Sequence, residues 1–254
     1  MGISGAAVAT GLGYSVTAVA GLFVFSRKKS LLHFTKPVCR FKVLAGAATN
    51  GCSEMATALV TGIITMMFNW TMLHYVGEDG VAAVTIIMYV LMFASSLYTG
   101  YSYGVAPMLS YYYGEQNHQK LKKLVATSLK VIACICLITV AASFMLTRPL
   151  VSVFARPDNP VYELAVTGNR ICTVALFFIG FNIFASGMFT ALSNGIVSAV
   201  LAFSRSFVFM LITMIVLPLL LGVNGIWLAT PAAELMALML SAFMFLKYKK
   251  RYGY

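Results

Sequence analysis

The sequence predicts an all-α, polytopic membrane protein: a six-helix transmembrane lobe plus one extra N-terminal transmembrane helix. Two observations carry this. Hydrophobic residues make up 60% of the 254-residue chain and charged residues 10%, against about 25% charge in an ordinary soluble domain. The apolar residues are also gathered into runs long enough for a helix to cross a hydrocarbon core of about 30 Å. Such runs are too long and too evenly apolar for barrel strands. In lipid only helices and closed barrels satisfy their own backbone.

In chain order, seven spans read at roughly 2–25, 45–74, 81–110, 124–147, 164–190, 198–221 and 224–246. Breakers separate them: Gly77 and Gly80, Gly114, Pro149 with Pro157 and Pro160, Asn194-Gly195, and Gly222 with Gly225. Residues 30–42 fit neither a span nor a short turn. They alternate basic and apolar residues around Pro37 and read as an interfacial amphipathic connector.

Counted on alternate sides of these spans, Lys and Arg fall 15 to 3. The richer side is predicted to be cytoplasmic, which puts the N-terminus outside and the C-terminus inside. Arg205 is counted with the cytoplasmic set. The net charge of +11 could suggest nucleic acid, but the positives sit between apolar spans, so no nucleic-acid partner is expected. Five cysteines, Cys39, Cys52, Cys134, Cys136 and Cys172, have no metal spacing and imply no disulfide framework. Residues 1–20 lack the basic start of a signal peptide.

An outside N-terminus without a signal has a candidate explanation in a repeat. Residues 2–10 and 222–230 share the pattern G-x-x-G-x-x-x-A-T at an offset of 220, and Phe23, Phe25 and Lys29 align with Phe243, Phe245 and Lys249. Six spans separate the copies, so the repeat is parallel, as in some transporter folds. The expected division is 1–29, the last helix of a missing N-terminal lobe; 30–44, the cytoplasmic connector; and 45–254, the C-terminal lobe.

The main candidate site residue is Glu54. It is the only charged residue between positions 43 and 73. At about 1.5 Å per residue it lies roughly halfway through the bilayer core. A charge there costs several kcal/mol unless it meets a partner or a wet cavity. It is therefore read as a proton or cation site, against the plainer reading of a neutral Glu bonded to a neighbouring helix. Glu234 lies three residues after Pro231, which lacks an N–H and can open a polar spot. It could take part in coupling or simply bond freed backbone or a neighbouring helix. Asn69 and Asn182 are mid-span amides, with interhelical hydrogen bonding as the plain reading. Arg170 and Lys130 are expected to snorkel, and His33, His74 and His118 to be solvated. No G-x-x-x-x-G-K-[ST] loop occurs, so ATP is not expected to drive the protein directly.

Three motifs carry a resemblance: Asn50-Gly51-Cys52-Ser53-Glu54, Gly104-Val105-Ala106-Pro107 running to Ser110-Tyr111-Tyr112-Tyr113-Gly114, and Gly225-Ile226-Trp227-Leu228-Ala229-Thr230-Pro231-Ala232-Ala233-Glu234. In this order the chain resembles the MATE family of multidrug and toxic-compound extrusion transporters, as its second half plus the preceding helix. The resemblance implies secondary antiport, in which an organic cation or other amphiphilic drug leaves as protons or sodium ions enter a cleft between two lobes. It puts Glu54 and Glu234 forward for ion coupling, and Asn50, Ser53 and Asn182 as substrate-cavity residues. Sodium-coupled members often add an acid in the span read here at 164–190; past its outer end this chain has Asn182 and no acid, which argues against a sodium site of two carboxylates. The N-lobe carboxylate that other members use would lie in the missing half, so the coupling ion stays open.

The remaining expectations follow from the same resemblance. No catalytic residue, metal or cofactor is expected, and the protein is not read as an enzyme. Its partners are the lipid bilayer, organic cation or drug substrates, and the N-terminal lobe of the same transporter. Its place is the plasma membrane. The alternatives are a lipid-linked saccharide flippase of the same superfamily, which needs a cationic cavity, and a non-transporting truncated remnant. The deep charges read from sequence, Glu54 and Glu234, are both acidic and favour cationic cargo.

Overall fold

A computed structural model describes the backbone of residues 2–26 and 41–253. Of the connector expected at 30–44, residues 30–40 lie outside the described residues, as do the side chains of 42–58 and of 3, 6, 17, 24 and 250, while residues 41–44 belong to a helix and not to a connector. Every regular element among the described residues is a helix: α1 (Gly2–Ser26), α2 (Phe41–Tyr75), α3 (Glu78–Gly114), α4 (His118–Met145), α5 (Thr147–Ser152), α6 (Pro160–Ala191), α7 (Gly195–Phe203), a π-helical turn (Ser204–Phe209), α8 (Met210–Leu221) and α9 (Val223–Tyr252). Among the described residues, α3, α4, α6, the continuous α7–α8 segment and α9 are each long and apolar enough to cross a membrane. The protein is a polytopic helical membrane protein.

The chain forms two compact units, Met1–Ser53 and Glu54–Tyr254. In the first, α1 is apolar on every side, with Leu12, Val16, Val19 and Phe23 exposed. That pattern suits a membrane span.

The second unit is built around α6. Eighteen of its 32 residues are buried, against nine of 37 in α3, so α6 is the central post and α3 an outer one. Small residues let its neighbours close in, the usual device where lipid supplies no hydrophobic drive between helices. A Cβ on Gly168 would stand 2.9 Å from the Trp227 ring, and one on Gly180 would stand 2.5 Å from Cys136 Sγ. One apolar core gathers Tyr98, Ile132, Leu176, Phe189 and Leu201; a second gathers Met72, Ile87, Val166, Ile226 and Trp227. Hydroxyl bonds stitch the same faces. Tyr98 bonds Thr139 and donates to the Leu176 carbonyl at 3.0 Å, Ser143 meets Thr173 at 2.8 Å, and Asn169 donates to Thr147 at 3.1 Å.

Asparagine caps open three of the helices. Asn117, Asn159 and Asn194 each cap a helix, accepting from Lys120 N, Val161 N and Val197 N at 3.1, 2.9 and 3.3 Å. Gly222 turns the chain between α8 and α9 at φ +58°, a conformation other residues adopt only with strain.

Four local expectations need correcting. Gly114 remains inside α3; the break falls at Gln116, whose φ is 56°. Pro149 sits within the short helix α5 instead of breaking the chain. The sixth span starts at Gly195, not 198, and its α-helical winding is interrupted by the π-helical turn. His118 is exposed but not merely solvated: its Nδ1 lies 3.1 Å from the Tyr252 carbonyl oxygen. Asn194 donates to the Tyr252 hydroxyl at 2.9 Å, so Tyr252 ties the end of α9 to the starts of α4 and α7.

Two cysteines pack inside the second unit. Cys136 and Cys172 are buried and Cys134 is exposed; Cys39 and Cys52 lie outside the described side chains. Cys172 has a further task. Pro231 cannot donate to the Trp227 carbonyl one turn back, and Cys172 Sγ donates to that oxygen at 3.3 Å instead.

Candidate functional site

Three helices bring opposite charges together at mid-depth. Asn182 lies nine residues before the end of α6 at Ala191, and Arg205 ten residues after the start of α7 at Gly195. At 1.5 Å per residue both stand about 14–15 Å from the turn that joins these helices. Glu234 reaches them from α9.

The contacts form a closed chain. Arg205 Nη1 is 3.6 Å from Glu234 Oε1. Asn182 donates through Nδ2 to Glu234 Oε2 at 2.8 Å and to the Glu234 carbonyl at 2.9 Å. Ser241 donates to Asn182 Oδ1 at 3.1 Å. Both amide hydrogens and the oxygen of Asn182 are thus used, which is why it can sit 2% exposed inside a membrane lobe. Glu234 is 7% exposed, and its charge is matched by a guanidinium and an amide.

Arg205 is placed by the π-helical turn. The wider winding over Ser204–Phe209 falls where α7–α8 faces α9, three to eight residues beyond Leu201, a buried anchor of the first core. Such turns commonly interrupt α-helices at functional positions. Here the turn carries a basic side chain inward to the carboxylate. This corrects the sequence reading, which counted Arg205 among the loop-side positives and took the deep charges to be only acidic. Glu234 answers to a cation of its own lobe.

Asn182 and Arg205 also line a cavity of about 820 Å3 between α3, α6 and the α7–π segment. Its polar wall includes Ser95, Thr99, Ser102, Ser186 and Thr190. Glu234 is not part of that wall; it lies behind Arg205 and Asn182. Asn69 lines a separate cavity of about 870 Å3 between α2 and the start of α3. Arg170 is exposed, with its guanidinium 5.8 Å from the centre of the Phe144 ring, and Lys130 is exposed on α4. The described residues contain no cluster of metal-binding side chains.

Asn50, Ser53 and Glu54 fall on α2, and their side chains lie outside the described residues. The structure therefore joins Asn182 with Glu234 and adds Arg205 and Ser241, which sequence reasoning did not put at the site. The available signal for Arg205 was its position well inside an apolar run, beside a span that carries its own buried acid.

Comparison with known proteins agrees with this architecture. The multidrug export protein MepA of Staphylococcus haemolyticus is 23% identical over 261 residues, covering 98% of this chain and 55% of that protein. An inward-facing structure of a multidrug resistance MATE family transporter superposes with a TM-score of 0.84 at 22% identity, over 98% of this chain and 59% of that one. An outward-facing MATE family structure superposes at 0.77 and 21% identity, over 98% and 58%. The chain thus spans a little over half the length of these relatives. The model of the MatE family matches residues 55–216, most of the second unit with its central post. That match covers more than half of the sequence, and the chain belongs to the MatE family.

Proposed function

We propose that the chain is one lobe, with a helix of its partner lobe, of a secondary antiporter that exports cationic or amphipathic drugs in exchange for protons or sodium ions. The observation that carries this is the family membership of a membrane lobe with a carboxylate set deep in a span. The relatives' names, multidrug export protein and multidrug resistance transporter, support the cargo class. Of the two deep acids, Glu234 is already neutralised by Arg205, so Glu54 is the better coupling group. No other charged residue stands between positions 43 and 73 to satisfy it along its own helix. Asn50 and Ser53, one turn or less away, are the polar neighbours proposed to share its cavity.

A second reading, flipping of lipid-linked saccharides, draws on Arg205 in the cavity wall. One guanidinium already held by a carboxylate is a poor match for a pyrophosphate, so drug export stands first.

The test is export of a cationic dye from an efflux-deficient host. The chain alone is expected to give no resistance above vector, because alternating access needs a second lobe to rock against. Co-expression with a separate five-span N-terminal half restores export. In that pair Glu54→Gln abolishes dependence on the ion gradient and Glu54→Asp keeps part of it. Export by Glu54→Gln at the parental rate removes Glu54 from the coupling role.

Orientation gives a further prediction. In a cysteine-free background, Lys249→Cys is labelled by an impermeant thiol reagent only after the plasma membrane is opened, because the basic ends belong in the cytoplasm. Labelling in intact cells reverses the topology.

A further inference from the structure

The 820 Å3 cavity carries one formally charged residue in its wall, and it is a cation. Arg205 offers five N–H donors in a flat fork. Glu234 engages one edge of that fork loosely, at 3.6 Å, and no other hydrogen-bond partner of the guanidinium occurs among the described residues.

Ser102 supplies a second, independent observation. Its side chain is 4% exposed and lines the same cavity, yet its hydroxyl has no hydrogen-bond partner among the described residues. It lies against α6 at Gly187, where an added Cβ would stand 3.6 Å from Ser102 Cβ, an ordinary contact distance. Three other hydroxyls of the wall are paired. Ser110 donates to the Ala191 carbonyl at 2.9 Å, and Ser186 and Thr190 reach Ser198 at 3.0 and 2.7 Å. An unpaired buried polar group is a costly exception; the other among the described residues, Ser128, does not line this cavity.

The ligand chemistry follows by elimination. A plain cation would meet Arg205 with no acid in the wall to offset it. A purely apolar molecule would leave the Arg205 and Ser102 donors unpaired. An oxygen-bearing anion satisfies both, and Tyr103, Ile183 and Pro107 supply apolar surface for the rest of the molecule.

We propose that this cavity binds the anionic oxygen group of an organic amphiphile, a carboxylate or sulfonate, on Arg205 and Ser102. The binding event stands apart from coupling. Its use in export rests on the antiporter reading: the lobe then accepts acidic or zwitterionic amphiphiles and disfavours purely cationic ones at this spot.

The experiment titrates the purified full chain in detergent with two xanthene dyes of opposite charge, 5-carboxyfluorescein and rhodamine 123, followed by fluorescence anisotropy. Carboxyfluorescein binds saturably. Arg205→Gln weakens it by about tenfold or more and Ser102→Ala by about three- to tenfold, the usual size for charged and neutral hydrogen bonds. Neither substitution weakens rhodamine 123. Where Arg205→Gln aggregates, Arg205→Gln/Glu234→Gln replaces it, since it removes the cation without stranding the carboxylate, and the same loss is expected. The proposal is overturned if the parental chain takes up no carboxyfluorescein, which would leave Ser102 to water. It is equally overturned if affinity survives both Arg205 variants, or if both dyes are lost in parallel. The measurement needs no ion gradient and no second lobe, so binding retained without export counts against the antiporter reading alone.

Discussion

Arg205→Ala is expected to destabilise the lobe by about 1–3 kcal/mol, less than for a fully buried ion pair because Arg205 is only partly buried in the cavity wall. The cause lies in what is left behind. Glu234, 7% exposed, would keep two contacts from Asn182 and lose the only cation beside it among the described residues. The readout is the melting temperature of the detergent-solubilised chain, followed through the buried Trp227. The double variant Arg205→Gln/Glu234→Gln is expected to recover most of the loss, because two amides can bond each other and Asn182 without charge. A double variant as unstable as the single one would show that the guanidinium matters for packing and not for pairing.

Gly225→Ala should do still more damage. A Cβ at this position falls onto the backbone of the preceding helix: it collides with the Leu217 carbonyl group and would stand 2.7 Å from Pro218 N. Backbone cannot rotate aside as a side chain can. The cost therefore exceeds the roughly 1–3 kcal/mol of ordinary overpacking. Closing α8 against α9 is what brings Ile226 and Trp227 into the second core, so the variant is expected to lose that core and be cleared from the membrane. Gly104→Ala is the matched control. It sits inside α3 with open space around its missing Cβ, and should be neutral or gain about 0.5–1 kcal/mol of helix stability. Equal expression of the two alanine variants would refute the close-approach argument.

The bundle was legible in the sequence because its punctuation is local. Asn159-Pro160 and Asn194-Gly195 announce helix starts through a cap that reaches only two or three residues along the chain. The turn at Gln116 was not legible, since a left-handed residue is expected to be Gly and the nearby Gly114 drew the boundary. At the site, Asn182 and Glu234 were visible as polar residues within apolar runs, but their bond was not. Nothing local ties an amide on one helix to a carboxylate 52 residues later. Arg205 was misplaced for a more general reason. Counting basic residues by side of the membrane treats each as a loop residue, and a π-helical turn that draws one inward leaves no mark in composition. Glu54, Asn50 and Ser53 remain candidates on sequence grounds, on a helix whose side chains there lie outside the described residues.

The placement of Glu234 and Ser241 on α9 also sets an order of events during synthesis. A ribosome delivers Asn182 52 residues ahead of Glu234 and 59 ahead of Ser241, and delivers Arg205 one helix before its carboxylate. Until α9 emerges, α6 and α7 therefore wait in the bilayer with an amide and a guanidinium lacking these partners, a state that lipid penalises. Arrival of α9 relieves both at once, with Tyr252 then fastening its tail to the turns before α4 and α7. In these terms α9 is a latch: a ribosome stalled near residue 222 would leave Asn182 and Arg205 in the bilayer without the groups that pair with them.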